Sequence, residues 1–376
     1  MSQLFFLFTS IYDVKEENMK LMNNMKFVKK AVLFSLLLMI AVCFVGCSKE
    51  ATTEGSFTFS YWNEGSEALA ELTDYVKTVT DRESADFIPE KDRIAVFDMD
   101  GTLMGETAPT YFDWVTYAYR VLDDPDYAGQ ATEEMIKTAQ AIRAIPTDGI
   151  PDWLEIAHIR DNAKAFKGMT VEDFERYIVR FMKKTPKGFD NLVYGEMFYK
   201  PMVEVVNYLQ ENGFTVIIVS GTDTYVCRLL LHGVFDIPPY RIIGSEYGVK
   251  PDGQPTDNGL EYAMEAKDTV IRDGTYVLKN VKANKVRTIY ERIGQRPVLM
   301  FGNSSGDYSM AMLTSTNNKY KSKAFFVLCD DDVREYGSVE KASSTAKKAQ
   351  ENGWYTFSMK DDWKTIYGDT AIKTSR

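Results

Sequence analysis

Short runs of consecutive apolar residues punctuate the chain at Ile94 to Phe97, Val216 to Val219, Val298 to Phe301 and Phe325 to Leu328. Each has the length and the β-branched or aromatic content of a strand buried on both faces. Helical spacing of apolar positions fills the stretches between them. That alternation predicts an α/β fold, a doubly wound parallel sheet with helices on both sides. A later run, Trp354 to Met359, predicts one further strand, and the stripe Leu69, Leu72, Val76 and Val79 predicts a helix from about Glu67 to Thr80.

Two interruptions break the alternation. About 110 residues separate Leu103 from Phe214. They read as helical over Ala131 to Ile145 and Val171 to Lys183, with breaks at Pro146, Pro151 and Pro186, so residues 104–213 are expected to form an inserted helical domain. Between Tyr240 and Ala283 the pattern changes to turn pairs, Asp252 with Gly253, Asn258 with Gly259 and Asp273 with Gly274. These predict a β-hairpin insertion over residues 240–283. The core is then expected to comprise residues 61–103 and 214–376.

The N-terminal pattern is of another kind. Lys26, Lys29 and Lys30 precede an apolar run from Ala31 to Val45 that only Ser35 interrupts, which reads as an export signal over residues 1–46. A run of about 15 residues is shorter than the roughly 20 that a membrane-crossing helix needs. Met25 is a more natural start than Met1, because acidic residues before it are uncommon in such signals. Phe44, Val45, Gly46 and Cys47 resemble the bacterial lipobox. That likeness implies lipid on Cys47, a tether over residues 47–60 and a protein anchored to the membrane outside the cytoplasm. An uncleaved anchor and simple secretion are the alternatives.

Charge narrows the partners. The 376-residue chain carries net charge −10, and its first 46 residues hold five Lys against Asp13, Glu16 and Glu17, or +2, leaving −12 for the rest. Nucleic acid is therefore not an expected partner. An acidic protein acting on an anion needs a local cation, which points toward a metal. With Cys47 lipidated, only Cys227 and Cys329 remain downstream, too few for a disulfide framework, and both fall in apolar stretches. His158 and His232 are the sole histidines, which excludes a His-rich zinc site and makes a Ser/His triad short of parts.

The chemistry gathers at the ends of the expected strands. The first run leads into Asp98, Met99, Asp100, Gly101, Thr102 and Leu103, the second into Ser220 and Gly221, and the third into Asn303 through Asp307. In open α/β sheets ligands bind beyond the carboxyl ends of the strands, so these clusters should converge on one site. Two carboxylates in one tight turn favour a metal, with backbone N–H groups available to an anion. A calcium loop does not fit, because Leu103 stands where Gly is required and Pro109 where Glu is required.

The stretch Asp98 to Leu103 after an apolar strand resembles the first motif of the haloacid dehalogenase superfamily of phosphohydrolases. The likeness extends over most of the chain from about Tyr61, and Asp92 to Leu103 together with Met359 to Lys364 are similar to exported bacterial members related to phosphoserine phosphatase. It implies that Asp98 takes the phosphoryl group and that Asp100 protonates the leaving oxygen and then activates water. Ser220, Gly221 and the Met99 backbone would hold phosphate oxygens. The motif lysine would be Lys285, with Lys282 as the other candidate. Mg²⁺ is the implied cofactor, held by the Asp98 and Asp307 carboxylates and the Asp100 carbonyl. Many relatives carry Asp where this chain has Asn303, which makes that position a weaker partner of the metal shell. In such relatives the helical insertion is a cap that selects the substrate.

The cap opens with Glu106, Tyr111, Phe112, Trp114, Tyr117 and Tyr119. Most of these aromatics are expected as packing. Glu106 with one or two of them is a candidate contact for a cationic or amino group on a small phosphorylated substrate. The expected activity is thus Mg²⁺-dependent hydrolysis of a phosphomonoester through an aspartyl-phosphate. A phosphotransferase or mutase on the same fold, and a lipid-anchored binding protein without turnover, are the other readings.

Overall fold

Every residue of the strand β1, Ile94–Phe97, is buried. It sits near the centre of a seven-stranded sheet in the computed structural model, which describes residues 57–145 and 150–375. The expected signal over 1–46, Met25, Cys47, the first part of the 47–60 tether and the breaker Pro146 lie outside the described residues. Among the described residues no helix is long and apolar enough to cross a membrane.

The other strands are β2 (Phe189–Asp190), β3 (Thr215–Asp223), β4 (Ile242–Pro251), β5 (Val270–Leu278), β6 (Leu299–Gly302), β7 (Lys323–Leu328), β8 (Tyr355–Ser358) and β9 (Ile372–Lys373). The main sheet runs β5-β4-β3-β1-β6-β7-β8 and is parallel except for the antiparallel β4–β5 pair. Burial on both faces explains why its central strands read as unbroken apolar runs. Phe97 and Phe301 stack at 4.2 Å, Phe301 and Phe325 at 5.3 Å, and Phe325 and Phe357 at 5.2 Å. This aromatic ladder crosses β1, β6, β7 and β8, and each such pair adds about 0.5–1.5 kcal/mol beyond area burial. It locks the register of the two strands that end in Asp98 and Asn303.

Helix α1, Glu67–Thr80, is capped by Ser66 and buries Leu72, Tyr75, Val76 and Val79. The insertion then supplies α2 (Phe112–Leu122), α3 (Glu133–Arg143), α4 (Asp152–Ala165) and α5 (Val171–Met182). Helix α6, Lys200–Glu211, lies inside the span expected as cap, yet it packs on β3 and covers the sheet. The cap boundary therefore falls before it. Periodicity reports that a helix buries one face, not which layer receives that face. The core is completed by α7 (Thr224–Leu231), α8 (Ala283–Arg292), α9 (Tyr308–Ser315) and α10 (Val339–Asn352).

The expected hairpin is β4 and β5, with a difference at one of its turns. Asp273 and Gly274 do not reverse the chain; they lie inside β5, where the register slips between Tyr247↔Tyr276 and Val249↔Arg272. Gly274 has φ +89°, a backbone conformation open to glycine, so the Asp-Gly pair makes a bulge instead of a turn. Just before it, β5 grips the cap: Gly168 N–H donates to the Arg272 carbonyl at 2.8 Å, and Arg272 N–H donates to the Met169 carbonyl at 2.9 Å. The buried Arg272 guanidinium pairs with Asp223 at 2.9 Å and stands over the rings of Phe174 and Tyr247. Core and cap accordingly belong to one compact unit, Phe59–Arg376.

Candidate active site

The ends of β1, β3 and β6 meet as the strand order requires. Lys285, on the first turn of α8, joins the ends of β1 and β6. Its Nζ donates to Asp98 Oδ1 and to Asp307 Oδ1, each at 2.6 Å. All three side chains are buried. Lys282 stands at the helix cap with φ +53°, and its N–H donates to the Gly306 carbonyl at 2.9 Å. Lys285, not Lys282, is therefore the lysine beside the carboxylates. The second Asp307 oxygen accepts from the N–H groups of Asn303 at 3.0 Å and Ser304 at 3.3 Å.

Electrostatics follow from two acids and one ammonium in a dry pocket. Burial pushes the Asp98 carboxyl well up and the charge of Asp307 adds to this, while Lys285 pulls it back. Burial draws the Lys285 ammonium down, yet Asp307 and Asp98 more than offset it and hold it above its ordinary value. Asp100 is pushed up to about 7, first by burial and then by the charge of Asp113. A carboxyl poised there can give and take a proton near neutral pH.

Asp100 is held from β3. Thr222 Oγ1 donates to its Oδ2 at 2.8 Å, while Ser220 Oγ lies 3.5 Å from the same oxygen. Sequence reasoning missed Thr222, because a threonine at a strand end carries no motif of its own. The turn after Asp98 uses several of its own N–H groups internally. Gly101 N–H donates to the Met104 carbonyl, and the N–H groups of Thr102, Leu103 and Met104 donate to the Met99 carbonyl. Those four donors close the turn and are not presented to an anion. Met99 is fully buried. Thr222 N–H likewise donates to Ser220 Oγ at 3.0 Å. Gly101 has φ +74°, and a Cβ there would run into the Asn303 side chain and the Glu106 carboxyl. Only glycine closes this turn.

The family model described as haloacid dehalogenase-like hydrolase matches residues 93–312, from β1 past Asp307. The chain belongs to that family. In solved structures the hydrolase is similar to a conserved protein of unknown function from Anaerococcus prevotii, at 13% identity and TM-score 0.48 over 84% of this chain and 97% of that one. It is also similar to cytosolic 5′-nucleotidase IIIB bound to cytidine, at 11% identity and TM-score 0.43 over 76% and 84%. A phosphoserine phosphohydrolase-like protein from Francisella tularensis matches at 11% identity and TM-score 0.38 over 70% and 94%. Likenesses this distant do not bear on substrate. No curated protein matches the sequence.

Whether Mg²⁺ suits the site depends on the donors around Asp98. Among the described residues no three His, Cys, Asp or Glu side chains gather as metal ligands. The Asp98 and Asp307 carboxylates with the Asp100 carbonyl make an all-oxygen set, the kind that Mg²⁺ takes together with water and substrate phosphate. Lys285 balances only one of the two carboxylate charges. The donors fit.

The cap side of the site is acidic and aromatic. Glu106 does not stand free for a substrate cation, because its Oε1 accepts from Lys341 Nζ on α10 at 2.7 Å. The Tyr111 phenol is pushed well up by the charge of Glu106 and then by burial, with Asp100 and Asp98 contributing. Asp113 is buried and pushed up to about 6 by burial. His158 is fully buried and stacks on Trp114 at 4.7 Å, its pKa pushed well down by burial. Burial pushes the thiols of Cys227 and Cys329 well up as well, so neither is a poised nucleophile.

Proposed function

We propose that this hydrolase is a Mg²⁺-dependent phosphomonoesterase that works through an aspartyl-phosphate on Asp98 and takes a small phosphorylated substrate outside the cytoplasm. The observation that carries the reading is the Asp98–Lys285–Asp307 bridge at 2.6 Å on each side, with Asp100 held close by.

An Asp98 oxygen attacks phosphorus, and the bond from phosphorus to the ester oxygen breaks. Asp100 delivers its proton to that leaving oxygen. The same Asp100, now a carboxylate, takes a proton from water, whose oxygen attacks phosphorus and breaks its bond to Asp98. Inorganic phosphate leaves and Asp100 is protonated again. Lys285 favours the anionic form of Asp98 and would offset charge on the phosphoryl oxygens, while the Ser220 hydroxyl would donate to one of them. When bound between Asp98, Asp307 and the Asp100 carbonyl, Mg²⁺ supplies Lewis-acid charge for the phosphate.

The anchored, exported state is supported by the lipobox-like stretch ending at Cys47 and by the preceding apolar run. The Lys341–Glu106 ion pair removes the support for a preference for amino-bearing esters. The deciding experiment is phosphate release from a panel of phosphomonoesters, with Mg²⁺ and with EDTA, by the wild type and by Asp98→Asn. Activity is expected only for the wild type with Mg²⁺. Undiminished turnover by Asp98→Asn would overturn the mechanism.

A further inference from the structure

We propose that Thr222 is the positioning residue for the general acid: its hydroxyl fixes the plane of the Asp100 carboxyl so that the second oxygen faces the leaving group. The inference rests on the phosphomonoesterase reading and assigns the orienting role to a residue outside the expected motif set.

Three observations carry it. Thr222 is buried, and a buried hydroxyl must find a partner; here that partner is Asp100 Oδ2 at 2.8 Å. Ser220, the residue expected at the end of this strand, reaches the same oxygen only at 3.5 Å, the limit of a hydrogen bond. The other carboxyl oxygen, Asp100 Oδ1, is buried and has no hydrogen-bond partner among the described residues. Torsion about the last bond of an aspartate is broad, so an unheld carboxyl would sample orientations that do not deliver a proton. Proton transfer needs the donor within about 2.6–3.2 Å of the accepting oxygen.

The backbone beneath Thr222 is itself immobilised, which makes the hold effective. The Ser220 carbonyl accepts from Asn280 Nδ2 at 3.1 Å, and Asn280 Oδ1 accepts from Thr288 at 2.9 Å. The Gly221 carbonyl accepts from Ser245 Oγ at 2.6 Å and from Lys279 Nζ at 3.0 Å. Against the next carbonyl, that of Thr222, β4 runs so close that a Cβ at Gly244 would collide with it. The backbone on which Thr222 sits is thus held by these contacts, and the Thr222 hydroxyl starts from a fixed position. Asp100 is tied to the sheet, so its alignment does not depend on the cap.

Substituting Thr222→Val keeps the shape and removes the hydroxyl, while Thr222→Ser keeps the hydroxyl. The readout is kcat/KM, which ends at the first irreversible step and so excludes hydrolysis of the aspartyl-phosphate, measured on p-nitrophenyl phosphate and on a simple alkyl phosphate. The p-nitrophenolate ion leaves without a proton, whereas an alkoxide does not. Thr222→Val is expected to lose roughly 100-fold on the alkyl ester, the low end of general-acid catalysis, and to change little on the aryl ester. Thr222→Ser is expected to recover most of the alkyl activity. Equal losses on both esters, or a serine variant as poor as the valine one, would overturn the role of Thr222 and leave the phosphatase reading standing. A wild type inactive on both esters with Mg²⁺ would overturn both.

Discussion

Replacing Lys285 by Met removes the one ammonium that bridges two buried carboxylates. Each contact at 2.6 Å is worth about 6 kcal/mol at an effective dielectric near 20, before the desolvation of the charges is subtracted. Loss of one partner from a buried pair costs about 3–5 kcal/mol, because the remaining charge is left without compensation. Lys285→Met is therefore expected to be destabilised by about 3–5 kcal/mol at pH 8. The sign with pH is fixed by Asp98, whose folded pKa burial and Asp307 already raise. Without Lys285 it rises further, so the folded variant binds more protons than the unfolded chain, and stability is lost as pH increases. The deficit should shrink toward pH 5. Urea unfolding in EDTA, which keeps divalent ions from replacing the ammonium, measures it at both pH values. The double variant Lys285→Met with Asp307→Asn should regain most of the stability but none of the activity. A deficit below about 1 kcal/mol, or one independent of pH, would refute the reasoning.

Other outcomes follow from the same geometry. With Asp100 at about 7, kcat/KM for an alkyl phosphate should fall tenfold per pH unit well above that value, since the acid form is required; a flat profile to pH 9 would contradict the assignment. Gly101→Ala should unfold at lower temperature and lose nearly all turnover, because the turn has φ +74° and the added Cβ meets Asn303 and Glu106; a variant with wild-type melting and rate would show that the turn can relax. Cys47→Ser should move the protein from the membrane fraction to the soluble one when expressed in a bacterium that lipidates exported proteins, and unchanged partition would remove the lipid anchor from the proposal.

Much of the sheet could be read before folding was considered. Ile94 to Phe97 and Phe325 to Leu328 are strands within a residue or two of their apolar runs, because burial on both faces leaves no polar position to blur them. The helix Glu67–Thr80 ends where its apolar stripe ends. The Asp273–Gly274 pair misled, since the same φ > 0 preference that makes a turn also makes a bulge, and only the opposing strand decides between them.

The sequence by itself determined the α/β class, the parallel strands and the polar residues at their ends, because these depend on local periodicity and on where an apolar run stops. Tertiary structure alone decided the pairings. Lys285 and not Lys282 reaches Asp98, 187 residues away in sequence, and Thr222 lies 122 residues from the Asp100 it holds. Glu106 meets a lysine 235 residues downstream. Helix α6 covers the sheet instead of joining the cap. Such contacts are set by which strands lie side by side and by how helices pack across them, and local spacing carries no record of either.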